Sequence, residues 1–175
     1  VYEEILRELQ SAGSSGEFYT PRAVTEFMAL MIKPKLGEKM ADFACGTGGF
    51  ITSWLGQLSK QVTDTSAQKQ LDDSIYGIEK KPFPDDLASS ETADLFMSVI
   101  LYRLKKNGRA AVVVPDGFLF GLDNAKVNIK KKLIGEFNLH TIVRLPGSVF
   151  SPYTSITTNL LFFDNTKPTT ETWFY

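Results

Sequence analysis

Cysteine and histidine each occur once in this 175-residue sequence, as Cys45 and His140. A single cysteine excludes an internal disulfide framework and fits a reducing compartment. One cysteine and one histidine also exclude zinc sites of the usual kinds. No charge sign dominates: 19 Lys and Arg stand against 20 Asp and Glu, for a net charge of −1. The chain therefore has no general basic excess for wrapping DNA, and a local patch or a partner must supply phosphate affinity if it acts there. No apolar run approaches the roughly 20 residues that span a bilayer, so no membrane contact is expected. Val1-Tyr2-Glu3-Glu4 has no signal-peptide pattern and no Met, so the natural N-terminus is expected further upstream. Internal repeats and long low-complexity segments are absent too. What is present, 43% hydrophobic and 22% charged residues, suits one soluble globular domain with a real core.

Apolar spacing divides the chain into alternating helices and strands. Ile5, Leu6 and Leu9 predict a helix over 1–10, ended by the breaker Ser11-Ala12-Gly13-Ser14-Ser15-Gly16. Pro21 opens a second helix with Val24, Phe27, Met28 and Met31 on one face. Strands are expected over 39–44 and 74–79, with a helix over 50–58 and a polar helix end and loop between them. A helix over 91–105 is expected to turn Leu95, Phe96, Val99, Ile100 and Leu104 inward. The run 109–115 is continuously apolar, as a strand buried on both faces requires. A basic helix over 125–137 and strands over 139–145 and 157–163 follow. This alternation predicts an α/β, doubly wound, Rossmann-like sheet. Only a loop joins the last two strands, too short for a parallel crossover, so the last strand is expected to be antiparallel beside its neighbour.

The most informative stretch is Asp42-Phe43-Ala44-Cys45-Gly46-Thr47-Gly48-Gly49-Phe50, a strand, a glycine-rich turn and a helix in that order. Glycines let backbone approach a ligand that a Cβ would block, and free N–H groups at the helix start favour a negative or electron-rich group. Glu79 ends the next strand on the same sheet edge, where a carboxylate can accept hydrogen bonds from both ribose hydroxyls. Together they imply a nucleoside-containing cofactor. A plain tight turn and a solvated Glu79 are the competing reading. Upstream, Gly16-Glu17-Phe18-Tyr19-Thr20-Pro21-Arg22 can fold over the strand ends and offer Thr20 to a ligand's carboxylate. Alternatively, Thr20 only caps a helix.

The segment Glu17-Phe18-Tyr19-Thr20-Pro21 upstream of Asp42–Phe50 resembles the gamma-type N6-adenine DNA methyltransferases, and among them the modification (M) subunits of type I restriction-modification systems. Gly77-Ile78-Glu79, Glu91-Thr92-Ala93-Asp94, Asn107-Gly108-Arg109, Pro115-Asp116-Gly117-Phe118, Leu145-Pro146-Gly147-Ser148-Val149-Phe150 and Thr157-Thr158-Asn159-Leu160 extend the likeness. It runs from about Gly16 to Tyr175. It implies an S-adenosylmethionine-dependent, site-specific, adenine-specific DNA methyltransferase domain over 16–175, with 1–15 ending a preceding helical segment. It also implies a cytoplasmic protein that works with DNA, a specificity (S) subunit and a restriction (R) subunit, with two M subunits per S subunit. By matching positions, the cofactor-binding residues are Glu17, Phe18, Tyr19, Thr20, Pro21, Arg22, Asp42, Gly46, Thr47, Gly48, Gly49, Phe50 and Glu79. Of these, Glu17 to Arg22 and Thr47 to Gly49 would hold the methionine end, and Glu79 the ribose. Adenine would be flipped from the duplex before transfer.

One departure stands out against this likeness. The family's catalytic Asn-Pro-Pro-aromatic motif belongs downstream of Glu79, yet the sequence contains no Asn-Pro pair. Only eleven residues separate Glu79 from Glu91, where such a sheet needs a helix, a strand and another helix. Either a stretch near Lys80–Asp86 is left out of the sequence, or the protein is a true deletion, a catalytically inactive S-adenosylmethionine-binding module of a larger assembly. A nicotinamide-dependent oxidoreductase on a similar sheet is disfavoured by the Phe18-Tyr19-Thr20-Pro21 turn. Lys126, Lys130, Lys131 and Lys132 read as a solvated helix face or as a DNA or partner-subunit contact. Pro115-Asp116-Gly117 reads as a turn or a wall of the base pocket. His140, Cys45, Trp54 and Trp173 read as structural, with both tryptophans expected in the core.

Overall fold

A computed structural model describes residues 20–77, 92–151 and 154–175. The expected helix over 1–10, Glu17 to Tyr19, Glu79 and the 80–86 stretch lie outside the described residues.

Helix α1 (Arg22–Ile32) is followed by strand β1 (Met40–Asp42), helix α2 (Gly49–Leu58), a 3₁₀ turn (Ser59–Gln61), helix α3 (Thr65–Asp72) and strand β2 (Ile75–Gly77). Helix α4 (Thr92–Arg103), strand β3 (Arg109–Pro115), helix α5 (Asp116–Phe120), helix α6 (Asn124–Glu136) and strands β4 (Asn138–Arg144), β5 (Thr158–Asp164) and β6 (Trp173–Phe174) complete the order. The α/β class stands. Among the described residues no helix is long and apolar enough to cross a membrane.

The strands form two sheets. β1 pairs with β2 in parallel, Asp42 opposite Gly77. The larger sheet has the order β3-β5-β4-β6. β5 runs antiparallel to both β3 and β4, as the short connection before it requires. β6, which the sequence pattern did not reveal, adds in parallel to β4.

Strand alternation explains why the four-stranded sheet is apolar on both faces. Leu161 and Phe163 of β5 pack with Met97 and Leu101 of α4 and Leu133 of α6. Leu160 and Phe162, one residue out of phase, face Val24 and Met28 of α1 on the other side. A fully buried side chain of this size contributes roughly 1.5–3 kcal/mol, so this layer carries much of the fold. α1 also packs against α2 through a buried hydroxyl pair, Thr25 Oγ1 to Ser53 Oγ at 2.9 Å. It thereby links the glycine-turn half of the chain to the large sheet.

Four expectations need correction. The polar stretch after Leu58 contains a capped helix, α3, whose Ala67 N–H donates to Asp64 Oδ1 at 2.8 Å. Ile100 and Leu104 of α4 pack against the core as expected, but Val99 faces out, and the most buried positions are Asp94, Met97 and Leu101. Asp94 is held there by a buried ion pair with Lys126. Trp54 is in the core as expected, but Trp173 is 58% exposed on β6. Finally, the α6 lysines are not one face. Lys126 is buried, and Lys130 Nζ donates to the carbonyls of Leu119 and Gly121 at 2.9 and 2.6 Å, capping α5.

Candidate cofactor site at the carboxyl ends of the strands

The chain leaves β1 at Asp42 and turns sharply into α2. Asp42 Oδ1 accepts the Ala44 N–H at 3.1 Å, a local bond that bends the backbone, and the Gly48 N–H donates to the Cys45 carbonyl at 2.7 Å. Gly46 and Gly48 adopt φ of +49° and +80°, the left-handed region where other residues are strained. A Cβ built on either would meet nothing within 4 Å. The glycines therefore do not relieve packing within the chain. They line open space beside the N-terminus of a ten-residue helix, and Gly46 and Thr47 are exposed to it.

The other half of the site arrives with α1. Pro21 is its N-cap and its carbonyl accepts the Val24 N–H at 2.9 Å. No side chain caps this helix, so Thr20 does not serve as the N-cap. Thr25, in the first turns of α1, holds Ser53 in the first turns of α2, and a Cβ on Gly49 would lie 3.6 Å from Thr25 Cγ2. The starts of the two helices are thus clasped side by side. Thr20 and Pro21 immediately precede α1, at the same end as its clasp with α2. Arg22 pairs with Glu26 one turn along at 2.9 Å. Phe50 points away from the turn and packs with the α1 face of the large sheet.

β2 approaches from the far side. Gly77 lies opposite Asp42, and a Cβ there would meet Ile51 Cδ1 at 2.9 Å and Cys45 Sγ at 3.5 Å. The carboxyl end of β2 is packed directly on the glycine turn, two residues before Glu79. Of the thirteen expected cofactor residues, Asp42 and Gly46 to Gly49 lie at the carboxyl end of β1, Thr20 to Arg22 lie at the start of α1, and Phe50 packs toward the large sheet.

A second polar cluster was not legible in the sequence. At the carboxyl ends of β3 and β4, Asp116 accepts from Asn159 Nδ2 at 2.7 Å and from Arg144 NH2 at 2.6 Å. The Arg144 guanidinium lies 5.7 Å from the centre of the exposed Phe120 ring. Asp116, Arg144 and Asn159 are far apart in the chain, and only the β3-β5-β4 order brings them together. Pro115-Asp116-Gly117, expected as a turn or pocket wall, is instead the junction where β3 passes directly into α5, tied to β4 and β5 through Asp116. His140 Nδ1 meets Thr141 Oγ1 at 2.9 Å beside an irregularity in β4, the structural role expected of it.

A groove of about 340 Å³ lies elsewhere, lined by Lys39, Ser66, Lys69 and Asp73 at the amino ends of β1 and β2. It is open to solvent, and it lies at the opposite edge from the glycine turn. Beside it, a hydrogen bond from Lys39 Nζ to the Tyr76 hydroxyl raises the Lys39 pKa above its ordinary value. The glycine turn, not this groove, combines left-handed backbone with open space above it.

Comparison with known proteins shows the family. The model of the N-6 DNA methylase family matches residues 1–93 and, separately, 87–175. The type I restriction enzyme EcoEI methylase subunit of Escherichia coli is 43% identical over 234 aligned positions, covering 100% of this chain and 48% of that protein. The EcoKI methylase subunit of Escherichia coli strain K12 is 24% identical over 231 positions, covering 93% of this chain and 43% of that one. The crystal structure of a modification subunit assigned to a type I restriction enzyme of Vibrio vulnificus YJ016 superposes with a TM-score of 0.88 at 37% identity. It spans 99% of this chain and 50% of that one. The chain thus covers about half the length of these relatives. The EcoEI alignment, at 234 positions, exceeds the 175 residues of this chain by 59.

Proposed function

The chain belongs to the N-6 DNA methylase family, and from that premise we propose that it serves a modification subunit that transfers a methyl group from S-adenosylmethionine to N6 of adenine in DNA. The observation that carries the cofactor assignment is the clasp of two helix starts around an open turn lined by Gly46 and Gly48. The space above those glycines fits a ligand against the backbone, and the α2 N-terminus suits the donor's carboxylate. Thr20 to Arg22 and Gly46 to Gly49 would hold the methionine end, with Glu17, Phe18 and Tyr19 completing that wall. Glu79 would accept from the ribose hydroxyls, and Asp42 would keep the turn in shape. When bound, the donor supplies an electrophilic methyl group. What these residues do is bind and orient it.

The residues that would hold the adenine are not in this sequence. The 59 surplus aligned positions and the two separate family matches support a stretch left out between Glu79 and Glu91, rather than an active site rebuilt elsewhere. DNA, a specificity subunit and a restriction subunit are the partners we assign to the complete protein, with two modification subunits per specificity subunit, in the cytoplasm. The near-neutral charge supports borrowed DNA recognition, because two of the four α6 lysines are spent inside the fold.

Two measurements test this reading. With S-adenosylmethionine at about 100 times its Kd, linkage raises the unfolding free energy by roughly 2.7 kcal/mol, which a thermal melt reads as an upward shift. An unchanged melt at saturating donor counts against the site. In a gel shift at physiological salt the isolated chain is expected to bind DNA weakly and without sequence preference. Tight, sequence-selective binding by this chain alone would refute borrowed recognition.

A further inference from the structure

A buried asparagine in a strand of apolar residues needs a physical reason. In β5, Asn159 precedes Leu160-Leu161-Phe162-Phe163 and is wholly buried with them. Burying an amide without full pairing costs stability, and Asn159 Oδ1 has no hydrogen-bond partner among the described residues. Its Nδ2 does have one, Asp116 Oδ1 at 2.7 Å. The other Asp116 oxygen accepts from Arg144 NH2 at 2.6 Å. Groups from β5, the β3–α5 junction and β4 are thus arranged to fix one guanidinium, and that guanidinium stays 48% exposed.

Beside it stands Phe120, its ring centre 5.7 Å from the Arg144 guanidinium. Single exposed apolar side chains are ordinary. Phe120 differs because its backbone is held on both sides. The carbonyls that flank it, Leu119 and Gly121, both accept from Lys130 Nζ. Gly121 lies so close to Lys126 and to the Gly117 carbonyl that it has no room for a Cβ. The ring is nonetheless 60% exposed, while Phe118, two residues earlier, is fully buried. A fixed aromatic ring, open to solvent and flanked by a tethered cation, suits a planar ligand that stacks.

The course of α1 places this pair in the fold. α1 ends near the amino end of β3, where Arg109 NH2 reaches the Lys33 carbonyl at 3.5 Å and Glu38 Oε2 at 2.6 Å. It starts at the clasp with α2, beside the glycine turn. Between these points it crosses the large sheet, with Val24 and Met28 on Leu160 and Phe162. β3 and β4 run in the same direction, since both are antiparallel to β5. Their carboxyl ends therefore lie on the same side of the fold as the glycine turn, the side where open α/β sheets take ligands.

We infer that Phe120 and Arg144 form a stacking platform for one unpaired base of a DNA strand, a site separate from the cofactor turn. The base lies on the Phe120 ring, Arg144 flanks that ring, and Asp116 and Asn159 fix Arg144. Asp116 offsets the Arg144 charge, so stacking rather than phosphate attraction supplies the affinity. Stacking tolerates any base, because every base has a π face. The platform is therefore not confined to the adenine that is methylated. The choice of DNA as the ligand rests on the family reading, and it does not depend on donor binding. A second arginine–aromatic pair serves as an internal control. Arg103 lies 5.6 Å from the ring of Tyr102, its neighbour at the end of α4, which precedes the amino end of β3.

The test titrates the intact 175-residue chain, without S-adenosylmethionine and at low salt, into a short labelled oligothymidine and into a duplex of the same length, with fluorescence anisotropy as the readout. Phe120→Ala is expected to weaken single-strand binding by about tenfold, the scale of one lost base stack. Duplex binding should not change. Phe120→Trp should retain or tighten single-strand binding, and Tyr102→Ala should leave it unaltered. Because the Phe120 ring is mostly exposed, these variants keep the fold. No saturable single-strand binding by the unaltered chain up to about 1 mM, or equal affinity for Phe120→Ala, would overturn the inference. So would a loss in Phe120→Trp as large as in Phe120→Ala. Self-association of the unaltered chain that Phe120→Ala abolishes in sedimentation equilibrium would also overturn it, by assigning the ring to a second copy. Equal affinity for Phe120→Ala removes the platform and leaves the chain's DNA binding in place, whereas a failure of donor binding leaves the platform untouched.

Discussion

Replacing Lys126 with alanine is expected to lower the unfolding free energy by roughly 3–5 kcal/mol, the cost of leaving a buried charge without its partner. Lys126 is 5% exposed, and its Nζ lies 3.2 Å from Asp94 Oδ2 and 2.9 Å from Asp123 Oδ2. Asp94 is equally buried and sits on α4, so this ion pair joins α4 to the start of α6. Removing the ammonium strands the Asp94 carboxylate in the core. Removing Asp123 does not, because half of its surface faces water. Lys126→Met keeps the aliphatic stem, which packs so closely on Gly121 that a Cβ there would lie 2.5 Å from Lys126 Cδ. Urea denaturation should therefore rank Lys126→Ala and Lys126→Met together as severe and Asp123→Ala as mild. Equal, small losses for all three would contradict the assignment. The Asp123 carboxyl is held below its ordinary value, first by the Lys126 backbone N–H and then by its side chain. A lowered folded-state pKa stabilises above the unfolded value. Its contribution is thus complete at neutral pH and lost as pH falls through the lowered value.

Gly48→Val is expected to weaken S-adenosylmethionine binding by about tenfold to a hundredfold, equivalent to roughly 1.4–2.8 kcal/mol. Gly48 has φ +80° and ψ 22° at the N-cap of α2. A branched side chain in this region costs on the order of 1–3 kcal/mol. Relaxing the strain would turn the Gly48 N–H away from Cys45 and open the turn. Keeping the strain would place two methyl groups in the space reserved for the ligand. Either outcome harms the site without an internal clash, since nothing in the chain lies within 4 Å of that Cβ. Gly56→Ala, in the middle of the same helix and also in open space, should leave binding unchanged. Calorimetric titration of both variants separates a ligand effect from a helix effect.

The fold class was legible because β3 is a continuous apolar run and because Asp42–Phe50 orders strand, turn and helix in nine residues. The antiparallel β5 was legible from the length of its connection alone. α3 was not, because its apolar face amounts to Ala67 and Leu71 in a polar segment, and its start depends on a cap at Asp64. On α4, Ile100 and Leu104 were legible, but Asp94 was not, because periodicity counts apolar residues and this charged one is buried by pairing with Lys126. The same pair explains why a run of lysines looked like a solvated face. At the site, the glycine turn could be read from residue types and their order. The Thr25–Ser53 clasp and the Asp116–Asn159–Arg144 corner could not, because tertiary contacts make them from residues 28 or more positions apart.

The central claim is that the Gly46–Gly49 turn and the end of β2 form one S-adenosylmethionine site. Titration calorimetry of S-adenosylmethionine into the unaltered chain and into Glu79→Ala tests it most directly. The account predicts saturable binding at one site per chain. Glu79→Ala should weaken it by roughly tenfold or more, the scale of a lost pair of charge-assisted hydrogen bonds. Lys69→Ala, in the groove at the opposite sheet edge, should bind like the unaltered chain. No saturable binding, or equal affinity for Glu79→Ala and the unaltered chain, would contradict the account.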